Sequence, residues 1–115
     1  MSQYADLNFL KTFTSNDPAK ITKYVNMFLN AAGPSISQMK QQLDASDWKA
    51  LKTSAHSLKS QLKYMGVAAG VEKAFFIETS AGEGQNLDKI PENLQKLEEI
   101  VAGASEELRS ELAKL

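Results

Sequence analysis

Apolar residues recur at intervals of three and four along almost the whole chain, and this period constrains the fold more than any other feature of the sequence. Residues with this spacing share one face of an α-helix, which turns once every 3.6 residues. No segment shows the alternation typical of a half-buried strand. Of the 115 residues, 43% are hydrophobic and 23% are charged, which excludes a disordered tail and a collagen-like chain. The sequence therefore predicts an all-α fold.

Residues 15–18 are predicted to end the first helix and to begin the second. Asp17 is a good N-cap and Pro18 a good first helical residue, because the first turn does not need the proline N–H. The apolar residues of the short first helix are Tyr4, Leu7, Leu10 and Phe13. Those of the second helix are Ile21, Val25, Phe28, Ala32, Ile36, Met39 and Leu43.

The second stripe runs across Gly33-Pro34 without a change of period. We predict one long helix, bent where Pro34 removes the hydrogen bond to the carbonyl four residues back. Two helices that meet at this point are the alternative.

Three further helices are predicted in the second half of the chain. The third begins after a cap at Ser46 or Asp47 and is closed by Gly66. Its apolar residues are Trp48, Leu51, Ala55, Leu58, Leu62 and Met65. The fourth runs from about Val67 to Ala81 and buries some of Val71, Ala74, Phe75, Ile77 and the stem of Glu78, since Phe75, Phe76 and Ile77 cannot all point inward. A loop over residues 82–86 precedes the last helix, which starts near Asp88 and Pro91 and carries Leu94, Leu97, Val101, Ala104, Leu108, Leu112 and Leu115.

Long amphipathic helices with short connections predict an up-and-down four-helix bundle with a short additional N-terminal helix. The length is that of one domain, residues 1–115. The stripe of the last helix would also suit a coiled-coil seam, but packing inside the bundle explains it equally well.

Several classes of function are disfavoured by composition. The chain has no cysteine, and its single histidine makes a zinc site improbable. Its net charge of −1 argues against a nucleic-acid-binding protein. Residues 1–11 lack the features of a signal peptide, and no apolar run approaches the ~20 residues of a membrane span. We expect no metal, no membrane contact, no nucleic-acid partner and a cytoplasmic location. The pairs Glu98-Glu99 and Glu106-Glu107 are expected on solvated faces.

The single histidine, His56, lies in the middle of the third helix. A helical projection places it about 130° from the centre of the apolar seam, so the imidazole faces solvent. Residues 47–65 carry four lysines against one aspartate. An unperturbed imidazole is largely neutral and nucleophilic at neutral pH, and nearby lysines suit an added phosphoryl group. A solvated helix face is the alternative interpretation of the same residues.

The string Ala55-His56-Ser57-Leu58-Lys59-Ser60, followed by Met65-Gly66, resembles the signature of histidine-containing phosphotransfer (HPt) domains. The order of the helices and the position of the histidine resemble the family as well, over nearly the whole chain.

This resemblance implies that His56 accepts a phosphoryl group from a receiver domain and passes it to another receiver. It implies that Lys59 steadies the phosphoryl group and that the small Ser60 keeps the imidazole reachable. Glu78 falls where the family often has a glutamine or similar polar residue that can orient the ring. The alternative is that Lys59 and Glu78 are an ordinary solvated pair.

A receiver would dock on the face around His56, which consists of Lys52, Thr53, Ser60, Gln61, Lys63 and Tyr64. The run Ser60-Gln61-Leu62 departs from the family's usual small residues, so Gln61 and Tyr64 could narrow the range of receivers.

The implied protein is a phosphorelay intermediate without kinase activity, since no nucleotide-binding motif is present. Its expected partners are receiver domains of response regulators and a hybrid histidine kinase. It would need no cofactor of its own, with Mg²⁺ on the receiver, and we expect a monomer. The phosphoacceptor helix pair of a histidine kinase fits less well, because neither an acidic residue nor a proline follows His56. A non-phosphorylated helical adaptor remains the alternative from another class.

Overall fold

The structure, a computed structural model, describes residues 4–115, so the first three residues of the predicted domain lie outside it. The helices are α1 (Asn8–Phe13), α2 (Pro18–Asp44), α3 (Trp48–Tyr64), α4 (Ala68–Glu83) and α5 (Ile90–Ala113), with one 3₁₀ turn, Leu87–Lys89, before α5. No strand occurs within this range. The predicted all-α fold, with four long helices and a short additional N-terminal helix, is confirmed.

The four long helices form the bundle. Helices α2 and α4 each pack against both α3 and α5, which places α3 and α5 at opposite corners. The predicted stripes meet in one hydrophobic core. Its largest fully buried side chains include Leu10, Met39, Leu51, Leu58, Leu62, Ile77, Ile90, Leu97 and Leu108.

Two helix starts follow the capping chemistry of the sequence. The Asp17 side chain accepts a hydrogen bond from the Ala19 N–H at 3.0 Å, immediately before α2. Of the two candidate caps for α3, the Asp47 carboxylate is the one that accepts, from the Ala50 N–H at 3.2 Å. Helix α2 continues through Gly33-Pro34 as a single helix, so the alternative of two helices is wrong.

The short first helix differs from its prediction. Tyr4 and Leu7 precede α1, and the Phe13 side chain is 57% exposed although it belonged to the predicted apolar stripe. Only Leu10 of α1 is fully buried. A six-residue helix has too few turns to bury a whole stripe, so its aromatic residues remain at the surface.

The last helices also end differently from the predictions. Helix α4 extends to Glu83, so Gly82 is helical and the predicted loop is shorter; the left-handed Gly84, with φ of 66°, closes the helix. Leu115 lies beyond the end of α5 and is exposed. In α4, Ile77 is buried whereas Phe75 is 53% exposed, which settles the face that the sequence left open.

The segment before α1 is fixed against the far end of the chain. Both carboxylate oxygens of Glu107 accept hydrogen bonds from the Tyr4 N–H, at 3.0 and 2.9 Å, and one of them also accepts from the Ala5 N–H. The expectation that Glu107 lies on a solvated face is therefore wrong. Gly66, at φ of 67°, and Gly103 leave room for this segment, because a Cβ on either would overlap the Asp6 backbone or the Tyr4 ring. No helix within residues 4–115 is long and apolar enough to cross a bilayer.

Candidate functional site

His56 stands on the solvent side of α3. The helix buries Leu51, Ala55, Leu58 and Leu62 against the core. Its histidine lies on the opposite side, and 61% of the imidazole side chain is exposed. The helical projection of the sequence therefore places this ring correctly.

Glu78 of α4 binds the ring from the side. Its carboxylate is mostly buried, with 15% of the side chain exposed, and Oε2 lies 2.8 Å from Nδ1 of His56. The other oxygen, Oε1, lies 2.7 Å from Nζ of Lys59, one turn beyond the histidine on α3. One carboxylate thus joins the two residues across the α3–α4 interface.

The two partners keep Glu78 ionised. Burial alone would raise the pKa of this carboxyl, but Lys59 and His56 outweigh the burial and hold the pKa below its ordinary value of 4.5. At neutral pH the group therefore carries a negative charge and acts as an acceptor.

The carboxylate fixes the tautomer of the neutral imidazole. An ionised carboxylate can only accept a hydrogen bond, so the proton of the ring must be on Nδ1. The lone pair then resides on Nε2, which takes part in no hydrogen bond within residues 4–115. The exposed nitrogen is the nucleophilic one.

Lys59 is more enclosed than a typical surface lysine. Only 13% of its side chain is exposed, because its ammonium sits between Glu78 and the ring of Phe75, 5.1 Å from the ring centroid. The structure brings Lys59 to the site but places its ammonium on the carboxylate. Its implied role at a phosphoryl group stays a prediction.

The other residues of the predicted docking face line α3 around the histidine. Lys52, Thr53, Lys63 and Tyr64 are exposed, and Ser60 and Gln61 are half-buried. The two hydroxyls are bonded to carbonyls of their own helix. Thr53 Oγ1 donates to the carbonyl of Lys49 at 3.2 Å and Ser60 Oγ to that of His56 at 3.3 Å. They add little bulk beside the imidazole.

An aromatic patch that was not predicted from the sequence borders this face. Phe9 and Phe13 of α1 stack at 6.2 Å, and the Tyr64 ring lies 5.8 Å from Phe9 and 6.2 Å from Phe13. Tyr24 of α2 meets Phe13 edge-on at 5.9 Å. The i, i+4 spacing of Phe9 and Phe13 is a signal in the sequence, but the contact between α1 and α3 is not. We call Phe9, Phe13, Tyr24 and Tyr64 the aromatic patch.

A groove of about 320 Å³ opens beside the aromatic patch. It is lined in part by Met27, whose side chain is 56% exposed, and by Gln61. The amide oxygen of Gln61 is buried and has no hydrogen-bond partner within the described chain. Tyr64 is eight residues after His56, so the groove lies roughly 12 Å along α3 from the imidazole.

The part of the chain that the structure describes contains no cluster of three or more histidine, aspartate or glutamate residues that could hold a metal ion.

The arrangement of helices and histidine agrees with a comparison against protein families. A sequence model of the Hpt domain matches residues 23–115, which cover most of α2 and all of α3, α4 and α5. The chain belongs to the Hpt domain family. HPt proteins are phosphotransfer intermediates, not kinases, and work with response-regulator receivers and kinases. The protein therefore acts in histidine phosphotransfer within a phosphorelay.

The HPt fold extends over the whole chain. The crystal structure of histidine-containing phosphotransfer protein B (HptB) from Pseudomonas aeruginosa PAO1 superposes with a TM-score of 0.90 at 20% identity. The superposition covers 100% of this chain and 99% of that one. At this identity the likeness is one of fold. A comparison with curated proteins gave no significant match.

Proposed function

We propose that Nε2 of His56 accepts a phosphoryl group from the aspartyl phosphate of one receiver domain and passes it to the aspartate of another. The observation that carries this proposal is the contact between Nδ1 and Glu78, which leaves the lone pair on the exposed Nε2. The lysines of α3 supply positive charge around the incoming phosphoryl group. Phosphoryl transfer needs mainly positioning and electrostatic stabilisation, which this site can provide.

The remaining chemistry belongs to the partner. The receiver would supply Mg²⁺ and the acidic pocket, and this protein would need no cofactor. It would receive its phosphoryl group in a relay that begins at a hybrid histidine kinase, without kinase activity of its own. We further propose that residues 1–115 form one HPt domain, which acts as a cytoplasmic monomer.

The receiver would dock on the predicted face and extend over the aromatic patch. Exposed aromatic side chains are common anchors at interfaces, and Phe9, Phe13 and Tyr64 of the aromatic patch are all exposed. The predicted docking residues Lys52 and Lys63 would contribute charge at the edge of this surface.

Transfer from a panel of phosphorylated receivers to the wild-type protein and to His56→Gln tests the proposal. We expect an acid-labile, alkali-stable phosphoryl group on the wild type alone, with the circular-dichroism spectra of both proteins unchanged. A folded wild type that accepts phosphate from no receiver would favour the adaptor alternative.

A further inference from the structure

The carboxylate of Glu78 keeps its negative charge after the neighbouring ring has received a phosphoryl group. A neutral amide could hold the same nitrogen at the same distance. Only a carboxylate also compensates a positive charge on the ring.

We propose that Glu78 is a positioning residue that retains the Nδ1 proton of His56 throughout the transfer and so keeps the phosphorylated ring in its protonated, readily transferring form. This inference rests on the proposed role of His56 as the phosphoacceptor.

The transfer balances without any movement of a proton. The Nε2 lone pair forms the N–P bond as the P–O bond to the receiver aspartate breaks, and the electron pair of that bond remains on the aspartate carboxylate. The ring, still protonated on Nδ1, becomes a cation. When the next receiver attacks phosphorus, the N–P electron pair returns to Nε2, and a neutral imidazole departs.

The geometry separates the two tasks of the carboxylate. Oε2 faces Nδ1 at 2.8 Å, and Oε1 faces the Lys59 ammonium at 2.7 Å. Because the contact with Lys59 does not involve the ring, it can hold the carboxylate beside Nδ1 whether or not the ring is phosphorylated. The lysine also favours the ionised carboxylate, whose pKa is lowered.

The charged groups near the ring come from the two helices that form the site. Glu78 is contributed by α4 and Lys59 by α3. Lys52 lies one turn before His56, with its aliphatic stem along Gly82 of α4. Of these, only the Glu78 carboxylate can stabilise a cationic ring.

The test uses full-length protein with ¹⁵N-labelled histidine, phosphorylated chemically with phosphoramidate. The ¹⁵N shift of Nδ1 distinguishes a protonated from an unprotonated nitrogen. At pH 8, well above the ~6.5 of an unperturbed imidazole, we expect Nδ1 of the phosphorylated wild type to be protonated and that of Glu78→Gln to be unprotonated. Glu72→Gln removes an exposed carboxylate of the same helix and should match the wild type.

A rate measurement gives an independent reading. At pH 8, loaded Glu78→Gln should pass its phosphoryl group to a receiver at least about tenfold more slowly than the wild type, because an unprotonated ring would have to depart as an imidazolate anion, a poorer leaving group than neutral imidazole. If Glu78 had only a structural role, its replacement by glutamine would not change the protonation of Nδ1.

The inference is overturned by an unprotonated Nδ1 in the phosphorylated wild type, or by the same Nδ1 state and transfer rate in Glu78→Gln. Failure of the proposed function gives a different result, because receivers would then neither load nor unload the wild type. The chemically loaded protein would still report the Nδ1 state.

Discussion

At the scale of single residues, the site depends on how Glu78 divides its two oxygens. Each oxygen serves a different residue of α3, so the carboxylate is compensated by Lys59 and orients His56 at once. Removing either contact would leave a mostly buried polar group poorly paired, which is costly. Orientation of the histidine and stability of the α3–α4 contact are therefore linked through one side chain.

This link predicts a pH-dependent contribution to stability. The pKa of Glu78 is lower in the folded protein than its ordinary 4.5, so the unfolded state binds the proton first as the pH falls. The stabilisation is complete above 4.5 and is lost as the pH decreases through the lower folded-state pKa. We expect Glu78→Gln to be less stable than the wild type by roughly 1.5–3 kcal/mol at pH 7.

Urea unfolding at pH 7 and at pH 3 measures this difference. The gap in free energy of unfolding between wild type and Glu78→Gln should narrow at pH 3, while Glu72→Gln serves as the control for loss of a carboxylate. A gap of equal size at both pH values would contradict the ion-pair account.

Some of the site could be predicted at the residue scale. His56 is the single histidine, and the period of α3 alone turns it toward solvent. Glu78 entered through the family resemblance. The contact between Lys59 and Glu78 could not be derived, because the helical period does not determine how α4 is rotated against α3. The cation–π contact of Lys59 with Phe75 was inaccessible for the same reason.

At the scale of secondary-structure elements, α2 is the helix whose sequence is least favourable to helix formation. Pro34 lies inside the helix, where it removes the hydrogen bond to the carbonyl of Asn30. The apolar stripe nevertheless keeps its period on both sides, and burial of Ala32 and Ile36 holds the two halves in one helix. Tertiary packing here overrides local propensity.

Replacement of this proline should stabilise the protein. Pro34 is exposed, so Pro34→Ala loses no packing and restores a helical hydrogen bond. We expect a gain of about 2 kcal/mol, which is the ~3 kcal/mol cost of an interior proline less the greater freedom of the unfolded chain.

The matched control is Pro91→Ala, in the first turn of α5, where proline is well tolerated. It should destabilise the protein by no more than about 1 kcal/mol in the same thermal unfolding experiment. If Pro34→Ala were no more stable than the wild type, the account of α2 would be wrong.

Helix existence was easier to predict than helix ends. Helix α4 extends past its predicted end near Ala81 and includes Gly82, because it is Gly84 that adopts the left-handed conformation that closes the helix. Gly82 and Gly84 both predict a helix end from the sequence, and only the folded structure shows which of them closes the helix. The caps at Asp17 and Asp47 are local and were predictable from the sequence.

At the scale of the whole molecule, the N-terminal segment completes the surface on which we propose that a receiver docks. Glu107 of α5 fixes the backbone of Tyr4 and Ala5, and this holds α1 where Phe9 and Phe13 meet Tyr64. The hydrogen bond joins residues 103 positions apart. No periodic pattern encodes such a contact, so neither it nor the aromatic patch followed from the sequence.

A charge placed at this surface should impair docking without affecting the histidine. Met27→Glu puts a carboxylate at the groove, and we expect transfer from a receiver to slow by about tenfold or more, since desolvating an unpaired charge at an interface costs over 1.4 kcal/mol. Loading by phosphoramidate should stay at the wild-type rate.

Gln95→Glu, which adds the same charge to an exposed position of α5, is the control and should transfer normally. Equal transfer by Met27→Glu and wild type would show that the receiver does not cover the groove.

The central claim is that Glu78 leaves Nε2 of His56 as the phosphoacceptor. The most direct measurement is the ³¹P–¹⁵N coupling in ¹⁵N-histidine protein that has been phosphorylated by a receiver. The account predicts coupling to Nε2 in the wild type and no phosphohistidine signal in His56→Gln. Coupling to Nδ1, or a phosphoryl group that persists in His56→Gln, would contradict it.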